Sequence, residues 1–76
     1  MPIRRKGLLR VVLRDAKKST YFANSGTWTG NVNEARDFQS SVSATEAALQ
    51  MRQEGLEVLL LFTDPGHDLS LPIRLF

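Results

Sequence analysis

The side chains best suited to proton transfer or metal binding are His67 and the two aspartates near it, Asp64 and Asp68. A carboxylate beside an imidazole can orient the ring as a general base, and the three together offer ligands to a metal ion. The Pro-Gly dipeptide among them is instead typical of a turn in which Asp64 accepts turn hydrogen bonds and His67 is solvated. Because the pattern supplies no fourth ligand, we expect a surface turn and no metal, cofactor or small-molecule substrate.

A second group with possible chemistry is the serine cluster Ser40, Ser41 and Ser43. A serine at a helix amino terminus can act as a nucleophile, but helix capping accounts for Ser43. The sequence contains no Gly-x-Ser-x-Gly elbow, no phosphate-binding loop and no dinucleotide-binding glycine motif, and it has no cysteine. We therefore expect a protein that is not an enzyme.

Positive charge is concentrated near the beginning of the chain, where residues 1–18 hold most of the Lys and Arg and a single acid, Asp15. Cations gathered on one side of a domain neutralise phosphates, and an exposed Tyr21 or Trp28 nearby would stack on bases. The same charges also keep an outward strand face soluble. Nucleic-acid binding is thus the alternative function, with residues 1–7 as a flexible basic arm. Its residues would be Arg4, Arg5, Lys6, Arg10, Arg14, Lys17 and Lys18.

The elements that would position these residues begin with strands. Alternation over residues 8–14 predicts a strand with Leu9, Val11 and Leu13 on one face. The opposite face would carry Arg10, Val12 and Arg14. Strands over residues 20–23 and 27–29 follow, joined by a turn in which Gly26 takes a positive φ. A helical turn over residues 33–36 is also expected.

The strongest local pattern predicts a helix beginning at Ser43. Residues 43–46 match a capping box, with Ser43 as the N-cap and Glu46 reaching back to it. Gly55 is placed to terminate the helix in a left-handed conformation. An apolar stripe of small residues would face the sheet, and Leu49 falls outside it. The stripe consists of Ala44, Ala47, Ala48 and Met51.

Two further strands complete the predicted sheet, over residues 57–63 and 69–75. The first is apolar on both faces, which is typical of a strand covered on both sides. The second contains Pro72, which cannot donate to a ladder and indicates an edge. Since one helix covers one face, Leu59, Leu61 and Val12 would form an uncovered apolar face, and such surfaces are usually interfaces. The alternative is that residues 30–42 fold over that face.

Part of this pattern resembles a recurring type of short bacterial and phage protein. The residues that carry the resemblance are Tyr21-Phe22, Trp28-Thr29, Ala35, Phe38 and the alanines Ala44, Ala47 and Ala48. It covers roughly residues 20–62, and Gly30 stands where an acidic residue often follows the Trp-Thr pair. The resemblance implies a fold and a bacterial or phage origin, and it assigns a function to no residue.

Together these patterns predict an α+β domain spanning residues 1–76, with the order β-β-β-α-β-β and one principal helix packed on one face of an antiparallel sheet. Arg10 and Arg14 interrupt the stretch where a signal peptide needs its apolar core, and no apolar run approaches the roughly 20 residues of a membrane helix. We expect a cytoplasmic, non-enzymatic interaction or accessory protein. It would form a homodimer or dock on a larger protein partner through a sheet face.

Overall fold

The alternating segment near the amino terminus forms the central strand, β1 (Leu8–Asp15). The computed structural model describes residues 7–63 and 68–73. Pairing with the neighbouring strand shifts by one residue between Leu8 and Arg10, so that Leu9 is the extra residue of a bulge. Leu9 is consequently 52% exposed. Its predicted place beside Val11 and Leu13 is wrong, because the bulge interrupts the two-residue alternation.

Five strands form one antiparallel sheet. Besides β1, they are β2 (Thr20–Phe22), β3 (Trp28–Thr29), β4 (Leu56–Phe62) and β5 (Leu69–Pro72). Their spatial order is β3-β2-β1-β4-β5. The β2–β3 hairpin turns at residues 23–27, where Gly26 has a φ of 85° as predicted. The predicted α+β class and element order are confirmed.

The helix, α1, spans Ser41–Met51 and begins one turn before the predicted cap. Ser40 is the N-cap residue: its backbone is extended, and its Oγ accepts from the Ser43 amide at 3.1 Å. The capping box starting at Ser43 is therefore wrong, because the hydroxyl of Ser40, three residues upstream, already accepts from the Ser43 amide that Glu46 was expected to reach. The helix also ends before Gly55, at Arg52, which adopts the left-handed conformation with a φ of 51°.

The predicted alanine stripe packs α1 onto β1 and β4. Ala44 and Ala48 are fully buried, and Ala47 and Met51 pack against the same cluster. The sheet contributes Val11, Leu13, Leu56 and Val58 to it. The methyl side chains of Ala44 and Ala48 let the helix axis approach the sheet closely. Leu49 is exposed, as its position outside the stripe predicts.

The segment between β3 and α1 occupies the part of the β1 edge that β2 leaves free. It contains a 3₁₀ turn at Val32–Glu34, capped by Asn31, close to the predicted helical turn. Beyond the turn, the Phe38 amide donates to the Val11 carbonyl at 2.7 Å. The Val11 amide donates to Asp37 Oδ1 at 3.1 Å. This segment therefore extends the sheet edge of β1.

Strand β5 lies at the edge of the sheet, as Pro72 predicts. Among the described residues it pairs with β4 alone, in a register that places Pro72 opposite Glu57 and Ser70 opposite Leu59. The described strand ends at Pro72, and residues 74 and 75 of the predicted strand lie outside the described residues. So do Asp64 and His67 of the predicted turn.

Candidate protein-interaction surface

The sheet face opposite α1 carries the residues predicted to form the interface. Strand register places Val12 beside Leu59 and Arg10 beside Leu61 on this face. Leu59 and Leu61 are partly buried, whereas Val12 has no exposed surface. The expectation that Val12 belongs to an uncovered surface is therefore wrong. It sits mid-sheet, flanked on its own strand by Arg10 and Arg14, whose aliphatic stems share the face.

A row of hydrogen-bonded polar side chains borders Leu59 and Leu61 on this face. Arg14 Nη1 lies 3.1 Å from Glu57 Oε2, and the opposite carboxylate oxygen of Glu57 accepts from the Ser70 hydroxyl. This row crosses three neighbouring strands, β1, β4 and β5. Both carboxylate oxygens of Glu57 have a partner, and the Ser70 hydroxyl donates within the chain. This rim is polar and the centre beside it is apolar, which is the usual anatomy of a protein interface.

Arg10 closes the other end of the same face. Its Nη2 donates to the Val32 carbonyl at 2.6 Å, and its Nη1 donates to the Ala35 carbonyl at 3.3 Å. The guanidinium thus holds the segment between β3 and α1 against β1. Two donors of this side chain are used inside the chain, which reduces what Arg10 offers to an external phosphate.

On the face of the sheet that carries α1, strand β5 has two large apolar side chains that are exposed. Leu69 is 52% exposed and Leu71 is 44% exposed, although both point to the side that carries α1. The helix packs on β1 and β4 and leaves the flank of β5 open. The sequence identified β5 as an edge through Pro72, but it could not show that the helix axis stops short of it.

The remaining predicted cations divide into two groups. Arg4, Arg5 and Lys6 lie outside the described residues. Lys17 and Lys18 are exposed on the turn after β1, where their backbone amides donate to Asp15 Oδ1 at 3.0 Å and 3.3 Å. The Lys17 stem also lies against Gly55, where an added Cβ would stand 3.2 Å from it. These lysines follow the end of β1, whereas Arg10 lies near its beginning.

The aromatic side chains are used for packing. Phe22 meets Trp28 edge-on with ring centroids 5.5 Å apart, and it stacks on Phe38 at 6.2 Å. All three pack against the core cluster, and the Arg36 guanidinium lies 5.2 Å above the Phe38 ring. Rings held in this way are not free to stack on bases. Tyr21 is partly buried on the opposite sheet face beside Arg14.

Of the other candidate groups, the three serines and Asp68 lie in the described part of the chain. Within residues 7–63 and 68–73, no three His, Cys, Asp or Glu side chains are grouped so that they could hold a metal ion. Ser40 and Ser43 are engaged in capping, with their hydroxyl oxygens 3.1 Å apart. The same residues contain no helix of the length and apolarity needed to span a membrane.

Comparison with known proteins adds no relative to this picture. No protein-family model, curated protein or solved structure matches the chain. The resemblance to short bacterial and phage proteins therefore stays a prediction.

Proposed function

We propose that this chain is a small, non-enzymatic protein-binding module that contacts its partner through the β4–β5 part of the sheet. The observation that carries the proposal is the accumulation of leucines at one edge. Leu59 and Leu61 are partly exposed on one face, and Leu69 and Leu71 are about half exposed on the other. Each pair leaves apolar area exposed on its own face, and burying that area against a partner removes it from water.

The partner is a second copy of the chain or a larger protein. A rim of paired polar groups, formed by Arg14, Glu57 and Ser70, separates the leucines from the rest of the face. An interface of this kind excludes water from its centre and leaves its paired charges at the boundary. Arg14 and Glu57 would not need to lose their partners on binding, so that their desolvation cost stays small.

Nucleic-acid binding remains the second candidate, supported by charge alone. Lys17 and Lys18 are its exposed, described residues. Arg10 and Arg14 are bonded to carbonyls and to Glu57, so using them on phosphates would break contacts within the chain. The protein-binding function requires no such loss.

Solution mass by light scattering tests the two candidates together, over chain concentrations from about 10 µM to about 1 mM. If the partner is a second copy, mass should rise with concentration, and the double variant Leu59→Lys/Leu61→Lys should stay folded with a lower mass. Leu49→Lys is the matched control, because Leu49 is 46% exposed on the outer side of α1. It should leave the mass unchanged.

A short mixed-sequence oligonucleotide supplies the opposing result. A chain that is monomeric without it, shifts in mass with it and releases it as salt rises would favour the nucleic-acid function, because phosphate contacts weaken steeply with salt. A mass that ignores the oligonucleotide and responds to the leucine substitutions would support protein binding.

A further inference from the structure

We infer that β5 of one copy pairs antiparallel with β5 of a second copy, joining the two sheets into one. The inference rests on the proposed function and specifies its partner and register. The starting observation is that, within residues 7–63 and 68–73, β5 is the last strand in the order β3-β2-β1-β4-β5 and has β4 as its one neighbour. Such an edge offers unpaired backbone groups to another strand.

The direction of those groups follows from one hydrogen bond. The Ile73 amide donates to the Leu56 carbonyl at 3.0 Å, so Ile73 directs its backbone groups towards β4. Backbone groups alternate along an antiparallel strand. The backbone groups of Leu69 and Leu71 therefore also point towards β4, while those of Ser70 and Pro72 point away from it, towards the open edge. The missing amide hydrogen of Pro72 is on the open edge, where it costs the β4–β5 ladder nothing.

A twofold axis at Ser70 gives a self-complementary register. Ser70 of each copy would donate its amide to the Ser70 carbonyl of the other, as in any hydrogen-bonded antiparallel pair. Two residues away, the outward carbonyl of Pro72 would accept from the Asp68 amide of the second copy. Pro72 removes only the reciprocal bond at the end of the strand. Leu69 would lie opposite Leu71 of the second copy, in the closely spaced type of pair that favours apolar contact.

Charge does not oppose this pairing. Residues 69–72 carry no charged side chain, and Asp68 of one copy would face Pro72 of the other rather than a second carboxylate. Edge strands that avoid self-pairing are very short or carry charges or a proline. β5 is short and its Pro72 removes one donor near the end, but its residues 69–72 carry no charge that would repel a second copy. Leu69 and Leu71 of both copies would then form a continuous apolar stripe on the α1 side, which shields exposed surface of each.

The area of such a contact limits its strength. Two strands of this length bury much less than the roughly 1,200 Å² typical of stable complexes. The pairing should therefore be a weak, reversible dimer, with a dissociation constant between about 10 µM and about 1 mM. A second copy suits this weak edge because its own β5 supplies the matching leucines and the matching backbone groups.

Sedimentation velocity on the full chain across that concentration range tests the register. Ser70→Pro removes the outward amide without touching the β4–β5 ladder, and it should weaken dimerisation at least about tenfold. Ser70→Ala is its control: it deletes the hydroxyl that donates to Glu57 but keeps the amide, so dimerisation should persist. Leu71→Lys should also yield a monomer, while Leu49→Lys should not. Circular dichroism checks that each variant is folded. If Ser70→Pro does not fold, the result with Leu71→Lys tests the inference in its place.

Three results would overturn the inference. One is a chain that stays monomeric up to about 1 mM. Another is a dimer that survives both Ser70→Pro and Leu71→Lys. The third is a dimer lost in Leu59→Lys/Leu61→Lys but unchanged in Ser70→Pro. That last outcome rejects edge pairing while the proposed function stands, with the opposite sheet face as the contact.

Discussion

At the scale of single residues, Asp15 shows how a buried charge fixes local structure. It is 3% exposed and stands at the end of β1. Its Oδ1 accepts from the amides of Lys17 and Lys18, and its Oδ2 accepts from Gln53 Nε2 at 2.9 Å. One carboxylate therefore forms the turn into β2 and ties that turn to the loop after α1. Burial of this carboxylate is tolerated because three donors form hydrogen bonds to it.

Replacing Asp15 tests that assignment. Asp15→Ala leaves two amides and the Gln53 side chain without their acceptor, so the free energy of unfolding should fall by about 3 kcal/mol. Asp15→Asn keeps the Oδ1 acceptor, and its amide can bond a flipped Gln53 side chain, so the loss should be about 1 kcal/mol. Urea unfolding measures both. Equal, small losses in the two variants would mean that the carboxylate does not hold the turn.

At the scale of elements, the start of α1 shows how neighbouring caps compete. Two serines, Ser40 and Ser43, both stand before apolar helical spacing, and Ser43 also has a glutamate three residues later. Only one can keep an extended backbone while the helix passes through the other. Ser40 takes that role, and Ser43 becomes the residue whose amide it satisfies. Starting earlier adds helical residues and one more turn of backbone hydrogen bonds.

The cap makes a simple prediction about two similar substitutions. Ser40→Ala should lower the free energy of unfolding by about 1 kcal/mol, because the Ser43 amide loses its acceptor. Ser43→Ala should change it by less than about 0.5 kcal/mol, since its side chain is exposed inside the first turn. Thermal unfolding followed by circular dichroism measures both. A larger effect at Ser43 would restore the later helix start.

At the scale of the whole molecule, burial separates residues that look alike in sequence. The Cα radius of gyration is 11.8 Å, close to the roughly 11.4 Å expected for a compact chain of this length. In so small a body the middle of the sheet is enclosed from both sides. Val12 is fully buried there without a second helix, while Leu9 on the same strand is half exposed.

Val12 and Leu9 therefore offer a matched test of the interior. Val12→Ala removes buried methyl groups and leaves a cavity, so it should lower the free energy of unfolding by about 2 kcal/mol. Leu9→Ala removes more carbon but from an exposed bulge, and should cost less than about 1 kcal/mol. Urea unfolding of the two variants at equal concentration provides the comparison. A costlier Leu9→Ala would place Val12 outside the core.

The sequence by itself determined the elements and most of their inward faces. Two-residue alternation located β1, and the spacing of Ala44, Ala48 and Met51 located the buried side of α1, because these periods are properties of the backbone. Pro72 identified the edge strand for the same local reason, its missing donor. The segregation of cations and the lack of catalytic motifs were also readable directly.

Tertiary structure decided which of those residues are available to a partner. Whether Val12 is covered, whether Arg10 is bonded to the Val32 carbonyl and whether α1 reaches over Leu69 depend on contacts between residues distant in the chain. Local propensity carries no information about such contacts, because burial results from how whole elements pack. The proposed interaction surface therefore lies towards the β4–β5 edge and not at the centre of the sheet, because α1 packs on β1 and β4.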